Sequence, residues 1–146
     1  MLKLEFKNES PHKTPEFADP GSSGMDIRAW LQEPEIVIAP GERVLIHTGI
    51  YANIPQGYEL QVRSRSGLTL KKGLVVANGI GTVDSSYKGE IGVILINLSK
   101  EHQRIEDDER IAQLVLMKVE IPEVVEVDEI DKTGDRGGGF GHTGTK

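Results

Sequence analysis

Apolar positions in this chain recur mostly at every second residue. Leu2, Leu4 and Phe6 alternate with Lys3, Glu5 and Lys7, and Tyr58, Leu60 and Val62 alternate with Glu59, Gln61 and Arg63. Val125 and Val127 alternate with Glu126 and Asp128 in the same way. Successive side chains of a strand point to opposite faces, so this period predicts half-buried strands. Short unbroken apolar runs at Ile36-Val37-Ile38, Leu74-Val75-Val76, Val93-Ile94-Leu95-Ile96 and Leu114-Val115-Leu116-Met117 predict more. Turn signals at Pro20-Gly21, Pro40-Gly41, Pro55-Gln56-Gly57, Asn78-Gly79 and Lys88-Gly89 divide them. Many short β-branched runs between frequent turns predict an all-β sandwich, barrel or jelly roll. Asn78-Gly79, set between Leu74–Ala77 and Ile80–Val83, carries the strongest hairpin signal. One brief helix is predicted over Ser66–Lys72, starting at a capping serine and closed by Gly73.

Composition narrows the picture. A chain of 146 residues is one domain with at most an added arm. Its core is modest, and oligomerisation would offset that. It has no cysteine, which excludes disulfides and thiolate metal sites and fits a reducing compartment. The opening MLKLEFKNES lacks the apolar run of a signal peptide, and no stretch approaches the ~20 apolar residues of a membrane span. The expectation is a cytoplasmic protein with no membrane partner. The net charge of −6, with acid gathered at Glu106–Glu109 and Glu120–Asp131, argues against nucleic acid as a partner. A small anionic ligand answers to local charge and remains compatible.

Local chemistry concentrates in a few stretches. In Val62-Arg63-Ser64-Arg65-Ser66-Gly67-Leu68, arginine forks and serine hydroxyls flank a helix start, a combination suited to phosphate oxygens. The plainer reading is a capped turn with solvated arginines. In Ala77–Gly89, glycines at a turn expose backbone donors and acceptors that can read the edge of a flat ligand. Asp84 leaves a strand where it could orient or deprotonate a water, and Tyr87 could lie flat on a ring or sugar. Asp84-Ser85-Ser86 is equally a plain turn. Asp26 could support a hydrated Mg²⁺, or pair with Arg28 or a neighbouring loop. Gln113 is either a phosphate-facing donor or an edge residue. The histidines at 12, 47, 102 and 142 show no metal-ligand spacing, and there is neither a nucleophile elbow nor a Walker loop.

Taken in order, Gly24–Ile27, Arg65–Leu68, Gly81–Gly89, Glu109–Leu114 and Arg136–Gly144 resemble the ordered motifs of the homotrimeric dUTP pyrophosphatases, or dUTPases. The resemblance runs from about Gly21 to the C-terminus. It implies a distorted jelly-roll-like β-barrel of the β-clip type over residues 1–134, with one short helix. A flexible glycine-rich arm, residues 135–146, would close over the nucleotide. It also implies hydrolysis of dUTP to dUMP and pyrophosphate with Mg²⁺, in a homotrimer whose sites are shared between subunits. Asp84 resembles the carboxylate that positions the attacking water at the α-phosphorus. Tyr87 resembles the ring under the deoxyribose, and the backbone around Asn78, Gly81, Thr82 and Val83 resembles the segment that reads uracil. Arg65, Ser66, Gly67 and Gln113 resemble phosphate contacts, and Asp26 the acid that supports the metal through water. Arg136, Phe140, Gly141, His142, Thr143 and Thr145 belong to the arm, with Phe140 over the base.

The chain also departs from that family pattern. Ser86 stands where a second Asp is frequent, Asp108 where Gly is frequent, and Ser64 where proline is usual; Arg63 is an extra charge. The rival readings are a dCTP deaminase and a non-catalytic β-sandwich binding module. The first needs a catalytic glutamate near Ile94, where the sequence offers none. The second gives no reason for Asp26, Arg65, Asp84, Tyr87 and Phe140 to occur together.

Overall fold

The structure, a computed structural model, describes residues 1–146. It consists of short antiparallel strands and one helix. In chain order these are β1 (Glu5–Asn8), β2 (Met25–Arg28), β3 (Glu35–Ile38), β4 (Arg43–Ile46), β5 (Ile50–Asn53) and β6 (Tyr58–Arg63). Then follow α1 (Ser66–Lys72), β7 (Leu74–Val76), β8 (Gly81–Asp84), β9 (Val93–Asn97), β10 (Gln103–Glu106) and β11 (Arg110–Lys118). The strands form a four-stranded sheet in the order β2-β11-β6-β8, a three-stranded one, β4-β9-β7, and the two-stranded pairs β1-β5 and β10-β3. The all-β, jelly-roll-like expectation holds, with the sheets separate rather than hydrogen-bonded into one closed ring.

The period-two pattern builds the core. In β6 Leu60 and Val62 are buried; in β9 Val93 and Leu95 are buried while Ile94 stays partly exposed. These join Ile27, Ile38, Ile105, Ile111 and Leu114 in one apolar cluster. Its removal from water is the main stabilising term. Asn97, fully buried, donates to the carbonyls of Ile38 (2.8 Å) and Glu101 (2.7 Å), so its polarity is satisfied inside the core.

Three expectations change. The Asn78-Gly79 turn is present, with Gly79 at φ 75°, but it does not join hairpin partners. β7 pairs with β9 and β8 with β6, so the turn carries the chain from one sheet to another. The helix spans Ser66–Lys72 and ends at Gly73 in the left-handed region, as predicted, but Arg65 is its N-cap and no side chain caps it. The alternation at Val125 and Val127 forms no strand. Regular structure ends at Lys118, and Ile121, Val124, Val125, Val127 and Ile130 are exposed, because no neighbouring strand lies there to bury one face.

Candidate active site

The predicted phosphate contacts converge on one polar pocket. On β2 Met25 and Ile27 face the core, which turns Asp26 to the opposite side. β11 lies between β2 and β6, placing Gln113 opposite Asp26 on one flank and opposite Arg63 on the other. Arg65 donates from Nε to Asp26 Oδ1 (2.9 Å) and from Nη1 to the Arg110 carbonyl (3.2 Å). Arg110 Nη1 reaches Asp26 Oδ2 at 3.4 Å. One half-buried carboxylate thus organises two guanidinium groups. Arg28, the alternative partner for Asp26, pairs instead with Asp108.

Asp26, Arg65, Ser66, Gly67 and Gln113 line a pocket of about 360 Å³. The Gln113 amide donates to the Ser64 carbonyl at 2.9 Å. It lies so close to Gly24 that any Cβ there would collide with Oε1. Ser64 Oγ in turn accepts the Val76 N–H at 2.9 Å, tying the loop before α1 to β7. A pocket bearing the Arg65 guanidinium, serine hydroxyls and an amide, with its only carboxylate already paired to arginine, suits a polyanion.

The second cluster forms a more apolar cleft. Along β8, Gly81 and Val83 face inward while Thr82 and Asp84 face out. Asn78, Gly81, Thr82, Val83 and Tyr87 line a cleft of about 430 Å³ together with Val62, Val76 and Ile94. Its size and its apolar walls with exposed backbone edges suit a planar ring and a sugar. One turn, closed by the Tyr87 N–H on the Asp84 carbonyl (3.0 Å), places Asp84 and Tyr87 at its two ends. Ser86 sits inside that turn and is exposed, so its departure from the usual Asp disturbs neither. The Tyr87 hydroxyl donates to the Glu90 carbonyl at 2.6 Å. Asp84 is exposed and its carboxylate has no hydrogen bond or ion pair within the chain, leaving both oxygens open to water.

The arm residues join neither cluster. Arg136, Gly141, His142 and Thr143 are exposed, and Phe140 is wholly so. Past Val119, whose N–H reaches the Gly57 carbonyl (2.8 Å), the hydrogen bonds are local turns such as Gly144 N–H to Gly141 O. The sequence-predicted residues therefore fall into separate groups, and the polar pocket and the apolar cleft have no lining residue in common. Reading the sequence left Arg110, His47 and Glu90 without a role, and grouped Ser64 with the phosphate-suited hydroxyls, whereas its Oγ accepts the Val76 N–H. Only the arginine beside Gln113 carried a signal, its charge at the mouth of the same strand.

Comparison with known proteins bears on this geometry. The dUTPase family model matches residues 10–144. The chain is 48% identical over 143 residues to the deoxyuridine 5'-triphosphate nucleotidohydrolase of Finegoldia magna, covering 98% of this chain and 99% of that protein. It is 52% identical over 144 residues to the enzyme of the same name from Chlamydia muridarum, with the same coverage. Among solved structures it resembles a variant of the Staphylococcus bacteriophage 80alpha dUTPase with dUpNHpp. That match has a TM-score of 0.85 and 29% identity, over 99% of this chain and 100% of that one. A variant of the dUTPase from phage phi11 of S. aureus, described with a structural Mg(II) ion, matches with a TM-score of 0.78 and 25% identity, covering 88% of this chain and 99% of that one.

Proposed function

The chain belongs to the dUTPase family, whose reaction is the hydrolysis of dUTP to dUMP and pyrophosphate, and we propose how its own residues divide that work. The cleft beside β8 takes uracil and deoxyribose. Backbone groups between Asn78 and Val83 read the base edge, and Tyr87 packs under the sugar, where a 2′-hydroxyl would clash. Arg65, Ser66, Gly67 and Gln113 take the phosphates. Asp84 accepts a hydrogen bond from the attacking water and aligns its oxygen on the α-phosphorus. As that P–O bond forms, the water's proton passes to the Asp84 carboxylate, the bond from the α-phosphorus to the oxygen bridging to the β-phosphate breaks, and pyrophosphate leaves with the electron pair. Phosphoryl transfer asks mainly for alignment and charge neutralisation, which these residues supply.

The donor set also bears on a metal. No group of three or more His, Asp, Glu or Cys side chains could hold an ion. Asp26 is a single carboxylate already bonded to two arginines. That fits a hydrated Mg²⁺ carried mainly by the triphosphate, with Asp26 touching it through water. Bound there, the ion would neutralise phosphate charge.

Phe140, Arg136, Gly141, His142 and Thr143, on the arm at 135–146, close over the base and the phosphates as a lid. The observation that carries this division is the separation of pocket, cleft and arm within one chain, which supports a homotrimer with shared sites. The exposed Leu45 and Ile94 on the cleft wall, and the exposed apolar residues from Ile121 to Ile130, support the same reading. The test is pyrophosphate release with Mg²⁺ from dUTP, dTTP, dCTP and UTP. Release from dUTP at least about a hundredfold faster than from the others is the expected result, the scale reached when a polar or steric mismatch is built into a site. Equal rates would overturn the assignment of the cleft.

A further inference from the structure

The ring of Tyr87 is held by a chain of contacts that the reaction does not itself use. Tyr87 lies over Gly89, where an added Cβ would stand 2.6 Å from its hydroxyl oxygen. The hydroxyl is tied to the Glu90 carbonyl at 2.6 Å. Residue 90 is anchored in turn through its side chain. Glu90 Oε1 meets His47 Nδ1 at 2.8 Å and accepts the Thr48 N–H at 3.3 Å. The next residue is pinned as well: Thr48 Oγ1 donates to the Ile91 carbonyl at 2.5 Å, and the Ile91 N–H reaches the Ile50 carbonyl at 2.8 Å. His47 and Glu90 lie on the wall of the same cleft as Tyr87. The Glu90 side chain is the more enclosed of the pair, at 24% exposure against 68% for His47.

We propose that His47 and Glu90 are positioning residues that set the depth of the Tyr87 ring in the cleft, and so the discrimination between deoxyribose and ribose nucleotides. This rests on the assignment of the cleft to the base and sugar. Tyr87 sits on an exposed turn with little packing of its own, and its position relative to the sugar follows the backbone at Gly89-Glu90. That backbone is held from the β4–β5 loop by the Glu90 carboxylate. Loosening the carboxylate lets residues 89 and 90 shift, the ring withdraws, and room opens where a 2′-hydroxyl would sit.

The experiment measures kcat and KM for dUTP and UTP separately in the full-length protein. The variants are His47→Ala, Glu90→Ala, Glu90→Gln, Tyr87→Phe and His47→Ala with Tyr87→Phe, each checked for a cooperative thermal transition. In His47→Ala and Glu90→Ala the ratio of kcat/KM for dUTP to that for UTP falls by about fivefold, the scale of one hydrogen bond. The fall comes mainly from a lower KM for UTP. Glu90→Gln, which keeps an acceptor for the Thr48 N–H, restores most of the ratio. The double variant falls no further than Tyr87→Phe alone, because both changes cut the same tether. A ratio unchanged in folded His47→Ala and Glu90→Ala proteins overturns the proposal. So does a double variant whose losses simply multiply. The assignment of the cleft itself fails differently, through a wild-type protein that does not prefer dUTP.

Discussion

Individual residues account for most of the chemistry. Asp84 is exposed, unpaired and held at one end of a single turn, while Asp26 spends its charge on Arg65 and Arg110. The two carboxylates therefore do different work, one free to hold water and one organising cations. Replacing Asp84 with Asn keeps the shape and removes the charge. Turnover of dUTP by Asp84→Asn should fall by about 10²–10⁴-fold, while calorimetric binding of dUTP changes little. An active Asp84→Asn protein would refute the role. Asp108 makes a different point. It stands at φ 68°, a left-handed conformation that glycine adopts readily and other residues rarely take. Here Arg28 compensates, donating to the Asp108 carbonyl at 2.9 Å and to its carboxylate at 3.2 Å.

Among elements, the turn between β10 and β11 matters because it leads into the strand that brings Gln113 to the pocket and Arg110 to Asp26. It is clamped from the N-terminal segment. His12 Nε2 lies 2.9 Å from Asp107 Oδ1, and the Leu31 N–H donates to the same oxygen at 2.9 Å. Burial opposes the charge on Asp107, but hydrogen bonds from Leu31, His12 and Asp108 outweigh it and hold the carboxyl below its ordinary 3.8. A carboxylate with a lowered folded value contributes stability that is present above 3.8 and lost as pH falls through that lowered value. Thermal unfolding followed across that range should show the wild type more stable than Asp107→Asn at neutral pH, with the two curves converging in acid. A constant gap would mean that the clamp is not electrostatic. The C-terminal arm, proposed as the lid, is the other element open to test. Its phenylalanine touches nothing and its hydrogen bonds are local, as suits a segment that orders on its ligand. Deleting residues 136–146 should leave a folded protein whose dUTP turnover falls on the order of 10²-fold, the scale of a lost positioning element. Normal turnover by the truncated protein would remove the lid from the mechanism.

At the scale of the whole molecule, the question is how pocket, cleft and arm meet. If the pocket and cleft of one chain serve different sites in a trimer, two inactive variants should repair one another. Unfolding and refolding Asp84→Asn with Arg65→Ala in equal amounts would yield about a quarter of wild-type activity, by random assembly of shared sites. Mixtures no more active than the separate variants would mean that both groups serve the same site.

Much of this was legible along the chain. The period-two pattern located β1 and β6, and the apolar runs located β3, β7, β9 and β11, because strand geometry maps sequence parity directly onto a buried face. Gly73 ended the helix where a left-handed residue was needed. The polar residues of the pocket stood in short motifs, since each sits at the end of one strand or turn. Pairings between distant segments were not legible. The same Asn-Gly turn serves a hairpin or a crossing between sheets, and only the partners of β7 and β8 decide which. Nothing local distinguishes an alternating segment that pairs, like Tyr58–Arg63, from one that does not, like Val125–Val127, because pairing depends on a neighbour brought from elsewhere in the chain. For the same reason the choice of Arg65 over Arg28 for Asp26, and the tether from His47 through Glu90 to Tyr87, belonged to the tertiary structure alone. Local periodicity and turn chemistry determine which segments become strands; long-range packing determines which of them meet.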